Sequence, residues 1–218
     1  MAENFLHLPD STIFHGVPGN PNGYSFGEAR TLVDDDEKLK RLKERLDGYY
    51  INGLKEIDHP FIKAIMTCVG LEVLGQVVLG FDLKGESIED LTIGIYEMLD
   101  PSLSQPLTNK FKDNYNKNRN VLGEAKDFAG SFTSYARVVR KGLRNSFTHN
   151  YRSLGIFLSD SQNNILEIVE DEGIIIINPE IFKQKYIDCY ELCYSELILN
   201  QQTNYRSKAL NYFHLLIR

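Results

Sequence analysis

The chain has no tryptophan, and only three cysteines, three methionines and seven prolines in its 218 residues. Three thiols at Cys68, Cys189 and Cys193 cannot build the bridged framework of a small secreted domain, so the expected compartment is the cytoplasm. The start, Met1-Ala2-Glu3-Asn4-Phe5, lacks the basic residues and apolar run of a signal peptide. The most apolar stretch, Ala64 to Phe81, is broken by Glu72 and Gln76. It predicts a buried helix, with no membrane partner. His7, His15, His59 and His214 are isolated, and Cys189 and Cys193 share a helical face with no further ligand nearby; the expectation is no metal and no cofactor. With 42% hydrophobic and 25% charged residues, the composition excludes collagen-like, mucin-like and wholly disordered chains.

The net charge of −6 would speak against a nucleic-acid partner if it were spread evenly, and it is not. From Thr108 to Arg152 ten basic residues face three acids, a balance of +7 that leaves −13 for the remainder. A local field of this kind can hold a polyanion on an otherwise acidic protein.

Along the chain, residues 1–33 are rich in Gly and Pro, which reads as an extended N-terminal arm. Their Gly-Val-Pro-Gly-Asn-Pro-Asn-Gly run lacks the Lys-Ser/Thr of a phosphate loop. Asp34-Asp35-Asp36-Glu37 then opens a helix of about 35–56, since acids suit a helix start. Phe61–Leu79 reads as a second helix and Ser87–Asp100 as a third, capped at its start. Residues 109–120 are polar, basic and rich in Asn, compatible with a loop or a weak helix. A long helix is expected over about 124–150, with Phe132, Tyr135, Val139, Leu143 and Phe147 as its apolar side. Three short apolar runs within about 155–178 read as a β-hairpin or meander. A helix opening at Pro179 and another over 204–216 complete the chain. The expected fold class is mainly α: one helical bundle over 34–218 with a short β-hairpin or meander before the C-terminal helices.

The long helix carries the chemistry. Arg137, Arg140, Lys141 and Arg144 fall at i, i+3, i+4 and i+7, which predicts a basic stripe beside its apolar face. The helix ends in Arg144-Asn145-Ser146-Phe147-Thr148-His149-Asn150-Tyr151, where Asn145 and His149 are one turn apart. Cleavage of RNA by internal transesterification needs a group that moves protons at the 2'-hydroxyl or the 5'-oxygen, and a fixed cation for the growing phosphate charge. His149 suits the first task, because imidazole titrates near neutrality. Arg144 suits the second through its permanently charged fork. Asn145 would orient the phosphate or the imidazole, with Arg137, Arg140, Lys141 and Arg152 holding the RNA backbone. On a regular helix, residues five apart point roughly 140° from each other. Arg144 and His149 therefore converge only through a bend, the reach of the long Arg, or a second subunit in a homodimer.

This R-x4-H spacing, with a polar residue after the Arg, resembles the signature of the HEPN superfamily (higher eukaryotes and prokaryotes nucleotide-binding). With Tyr151 it is similar to the R-x4-H-x-Y form of HEPN toxins paired with nucleotidyltransferase antitoxins. The resemblance implies an all-helical core, a symmetric dimer and metal-independent ribonuclease activity from Arg144 and His149. Tyr151 matches the tyrosine that partner nucleotidyltransferases adenylylate in that group. Glu72, amid apolar residues, is expected either to pair with Arg144 or His149 or to serve another buried donor. Two further readings stand beside the nuclease: a non-catalytic HEPN-like module binding a nucleotide, RNA or protein, and a structural helical protein whose motif is accidental.

Overall fold

The computed structural model describes residues 8–16, 23–80, 88–121, 132–145, 155–200 and 204–218, with 79, 88–91, 119–121 and 144–145 described as backbone. The fold is mainly α. In chain order the elements are β1 (Ile13–His15), β2 (Tyr24–Ser25), α1 (Phe26–Thr31), α2 (Asp35–Leu46), α3 (Asn52–Lys55), α4 (Pro60–Leu79), α5 (Ile88–Leu99), α6 (Pro101–Ser104), α7 (Asn109–Val121), α8 (Tyr135–Val139), β3 (Ile156–Leu158), β4 (Leu166–Val169), β5 (Ile174–Ile177), α9 (Pro179–Leu192) and α10 (Asn204–Leu216). Among the described residues, π-helical stretches continue these helices: Asp47–Ile51 joins α2 to α3, Arg140–Asn145 follows α8, and Cys193–Ile198 follows α9.

The chain divides into two compact units. The first comprises Met1–Glu56, Gly75–Glu86 and Tyr190–Arg218. Its helix α2 starts where the sequence predicts: the Asp34 carboxylate accepts the Glu37 backbone N–H at 2.8 Å, with three acids in the first turn and Lys43 and Arg45 in the last. That charge order suits the helix dipole. The apolar side of α2, Leu39 and Leu42, is fully buried, and the Tyr194 hydroxyl donates to the Leu39 carbonyl at 3.0 Å.

The segment read as an extended arm holds regular structure. β1 and β2 pair antiparallel, and Ser25 with Glu28 closes a capping box at the start of α1. The reason is aromatic burial: Phe14 meets Phe26 and Phe213 edge-on at ring distances of 5.3 and 5.5 Å. Arg45 donates to the Phe14 carbonyl and lies over its ring. Beside it, His15 is buried, stacked on Tyr24, with Nε2 3.0 Å from the Glu44 carboxylate. Burial holds this imidazole below its ordinary pKa of 6.5; Glu44 and Glu28 oppose the shift, and Arg41 and Arg45 reinforce it. The unfolded chain thus binds a proton that the folded one resists, so the contribution of His15 to stability is full above 6.5 and is lost as pH falls below it. Urea midpoints should fall between about pH 7 and pH 5, and His15→Gln should flatten that fall. A variant with the wild-type slope would contradict this.

In the second unit, Ile57–Leu74 and Ser87–Cys189, α7 settles the undecided segment as a helix. Phe111 and Tyr115, one turn apart, are fully buried and stacked at 5.5 Å, and Tyr135 of α8 meets Phe111 edge-on at 5.2 Å. The sheet order is β3-β5-β4, with β3 parallel to β5 and β4 antiparallel to it. Of the expected hairpin or meander, β4 and β5 form the hairpin, and β3 is added in parallel on the other edge of β5. The 159–165 connection passes the end of β5, where the Asn178 side chain donates to the Gln162 carbonyl at 2.8 Å. The same side chain accepts the Glu180 and Ile181 N–H groups, capping α9.

A further correction concerns the expected helix over 124–150. Thr133 and Ser134 are non-helical, and α8 begins only at Tyr135. Ser134 sits in extended backbone, and its hydroxyl donates to Glu97 at 2.9 Å. Residues 122–131 and 146–150 of that helix lie outside the described residues. The helix α4 is long and apolar enough to cross a membrane, and 61% of its apolar window is buried inside the protein.

Glycines at exposed helical positions offer a calibration of these forces. A Cβ at Gly53 of α3 would meet nothing within 4 Å. Gly53→Ala should therefore raise stability by about 0.5–1 kcal/mol in chemical denaturation, since alanine loses less backbone freedom on folding. A destabilised variant would contradict the helical packing given for this position.

Candidate active-site helix

The helix formed by α8 and its π-helical extension is the element on which Arg144 and Asn145 fall. It is held by burial along most of its length: Tyr135, Ala136, Val138, Val139 and Leu143 are all buried. From Arg140 the winding changes to i→i+5 bonding, which adds a residue to each turn and recurs at functional sites. Arg144 and Asn145 close this stretch as backbone; their side chains, with all of His149, Tyr151 and Arg152, lie outside the described residues.

The predicted basic stripe does not stand on one solvated face. Arg140 is only 6% exposed, and its guanidinium lies 3.2 Å from the carboxylate of Glu72, itself 8% exposed, on α4. Glu72 thus serves a buried donor, Arg140; the side chains of Arg144 and His149, its other expected partners, lie outside the described residues. A guanidinium so engaged holds a helix in place and is not presented to an RNA backbone, which corrects the expectation for Arg140. Arg137 and Lys141 are half-buried. Arg137 donates to the Thr133 hydroxyl at 3.1 Å, and the Lys141 ammonium lies 5.1 Å from the centre of the Phe132 ring.

Tyr96 of α5 completes the polar cluster inside this unit. It is fully buried, and burial pushes its hydroxyl well above the ordinary tyrosine pKa, helped by the Cys68 thiol beside it and by Glu72, and opposed by Arg140. A phenol kept neutral in this way serves as a hydrogen-bonding group.

The basic run in sequence is also less basic in space. On α7, Lys110, Asn114 and Asn118 share one face. All three engage the acidic turn between β4 and β5: Lys110 pairs with Asp171, Asn114 donates to the Glu170 carbonyl at 3.0 Å, and Asn118 donates to that of Glu172. Sequence counting missed this because the two segments lie more than fifty residues apart. It also missed two buried lysines, Lys63 and Lys183, which share the Glu180 carboxylate. Lys63 lies between Ile62 and Ala64, whereas Lys183 follows Phe182 and precedes Gln184, so its neighbours give little signal. Among the described residues, no three His, Cys, Asp or Glu side chains are grouped as a metal ion requires.

No family model matches the chain, and neither a curated protein nor a solved structure matches it.

Proposed function

We propose that this protein is a metal-independent endoribonuclease of HEPN type, acting as a homodimer in the cytoplasm, with Arg144 and His149 at one phosphodiester of RNA. The observation that carries the reading is the Arg144-Asn-Ser-Phe-Thr-His149 spacing, whose first two residues belong to a helical stretch anchored through Arg140 and Glu72.

The chemistry follows from the residue types. The 2'-oxygen attacks phosphorus, the bond to the 5'-oxygen breaks, and one proton leaves the first oxygen while another reaches the second. His149 moves a proton in this exchange. Arg144 offsets the charge that builds on the phosphate oxygens, Asn145 orients the phosphate, and Lys141, Arg137 and Arg152 add positive charge along the backbone. The products are a 2',3'-cyclic phosphate and a 5'-hydroxyl end. Within this reading, Tyr151 is a site for adenylylation by a nucleotidyltransferase antitoxin, and toxin or phage-defence roles follow.

The test is incubation of the purified chain with single-stranded RNA in excess EDTA, followed by analysis of the product ends. Cyclic-phosphate products support the nuclease. Saturable binding that weakens with salt, without products, would replace it by the non-catalytic module.

A further inference from the structure

The charge balance at the start of α9 is unusual within this protein. Four basic side chains other than histidine are buried among the described residues: Lys38, Lys63, Arg140 and Lys183. Lys38 pairs with Asp35 at 2.7 Å and Arg140 with Glu72 at 3.2 Å, each cation having a carboxylate of its own. Lys63 and Lys183 share a single one. The Glu180 carboxylate binds the Lys63 ammonium through one oxygen and that of Lys183, at 2.8 Å, through the other. Side-chain exposure is 10% and 9% for the two lysines and 52% for Glu180. Two largely desolvated cations thus face one anion, and that anion is the outermost of the three.

Buried charge without full compensation is costly. Each ammonium has three donors, and in both lysines Glu180 is the one carboxylate served. The backbone N–H groups at the start of α9 do not compete for the Glu180 carboxylate, because the Asn178 side chain accepts from them. A carboxylate bridging two ammonium groups by its two oxygens presents the same pair of acceptors that two oxygens of a phosphate would. Phosphate also carries close to two negative charges near neutral pH, which matches two lysines where Glu180 matches one.

We propose that Lys63 and Lys183 form a phosphate-binding site in which the Glu180 carboxylate stands in for the ligand and swings outward when phosphate enters. The site is independent of the nuclease reading and uses none of its residues. Its ligand is a phosphate group, either free or as the monoester at the end of a nucleotide chain.

Titration of the full-length chain with inorganic phosphate at constant ionic strength, followed by calorimetry, should give saturable binding. Glu180→Gln removes the competing charge and should tighten binding about tenfold, whereas Lys183→Met should weaken it by about tenfold or more. Thermal melts with and without phosphate give a second reading: the rise in Tm should be larger for Glu180→Gln than for the wild type. A parallel titration with a short RNA bearing a 5'-phosphate or a 5'-hydroxyl identifies the source. Preference for the phosphorylated strand marks the monoester end, and equal binding of the two strands marks free phosphate. Absence of saturable phosphate binding in both the wild type and Glu180→Gln would overturn the site, as would two variants that titrate like the wild type.

Discussion

Glu72→Ala is expected to destabilise the protein by about 3–5 kcal/mol, because it leaves the Arg140 guanidinium buried without its carboxylate. Both partners are more than nine-tenths buried, so water cannot replace what the mutation removes. Replacing both members with apolar residues of similar size, Glu72→Leu with Arg140→Met, should restore most of the loss, since the pair's attraction is largely offset by the cost of desolvating two charges. Denaturant midpoints for the two singles and the double form a cycle that separates these terms. Singles that cost under about 1 kcal/mol would show that the pair is solvated and that the anchoring of the candidate helix has been misread.

Gly173→Ala is expected to cost about 3–5 kcal/mol, combining left-handed backbone strain with a steric overlap that cannot relax. Gly173 has a φ of +60°, and a Cβ there would overlap the backbone nitrogen of Tyr115 and carbon of Asn114 and lie 2.7 Å from Tyr115 Cα. Those are atoms of α7, fixed by the burial of Phe111 and Tyr115. Gly155, with φ +65°, makes a useful contrast, because its closest neighbour, at 2.8 Å, is a ring atom of the Tyr115 side chain and the overlap is smaller than that of Gly173 with backbone. Gly155→Ala should cost less than Gly173→Ala in the same denaturation series. The reverse order would mean that the β4–β5 turn does not lie against α7 as described.

Much of the helical scaffold was legible because its signals are local. Asp34 to Glu37 mark the start of α2, Pro60 and Pro179 open α4 and α9, and the amphipathic spacing of 204–216 gives α10 its full length. The order of the sheet was harder to read, although a cue was present. The unbroken Ile174–Ile177 run marks a strand with neither face fully open to water, intermediate and buried residues alternating along it. The arm was misread because Gly and Pro are counted locally, while Phe14 gains its burial from Phe26 and from Phe213 at the other end of the chain. For the same reason α7 could not be assigned: its polar face is satisfied by a turn that comes fifty residues later.

The candidate site divides along the same line. Spacing singled out Arg144, Asn145 and His149 as candidates, but Arg140, from the same predicted stripe, points inward in space, toward an acid on α4. Charge at a sequence position says nothing of the carboxylate 68 residues upstream that neutralises it. Lys63 and Glu180 show the separation more strongly, meeting across 117 residues.

The central claim, that Arg144 and His149 cleave RNA together, is tested most directly by comparing the wild type with His149→Ala and Arg144→Ala on one RNA with metal ions chelated. The account predicts cyclic-phosphate products from the wild type alone, with all three proteins equally folded by circular dichroism. RNA left whole by the wild type at every protein concentration, or cut equally fast by either variant, would contradict it.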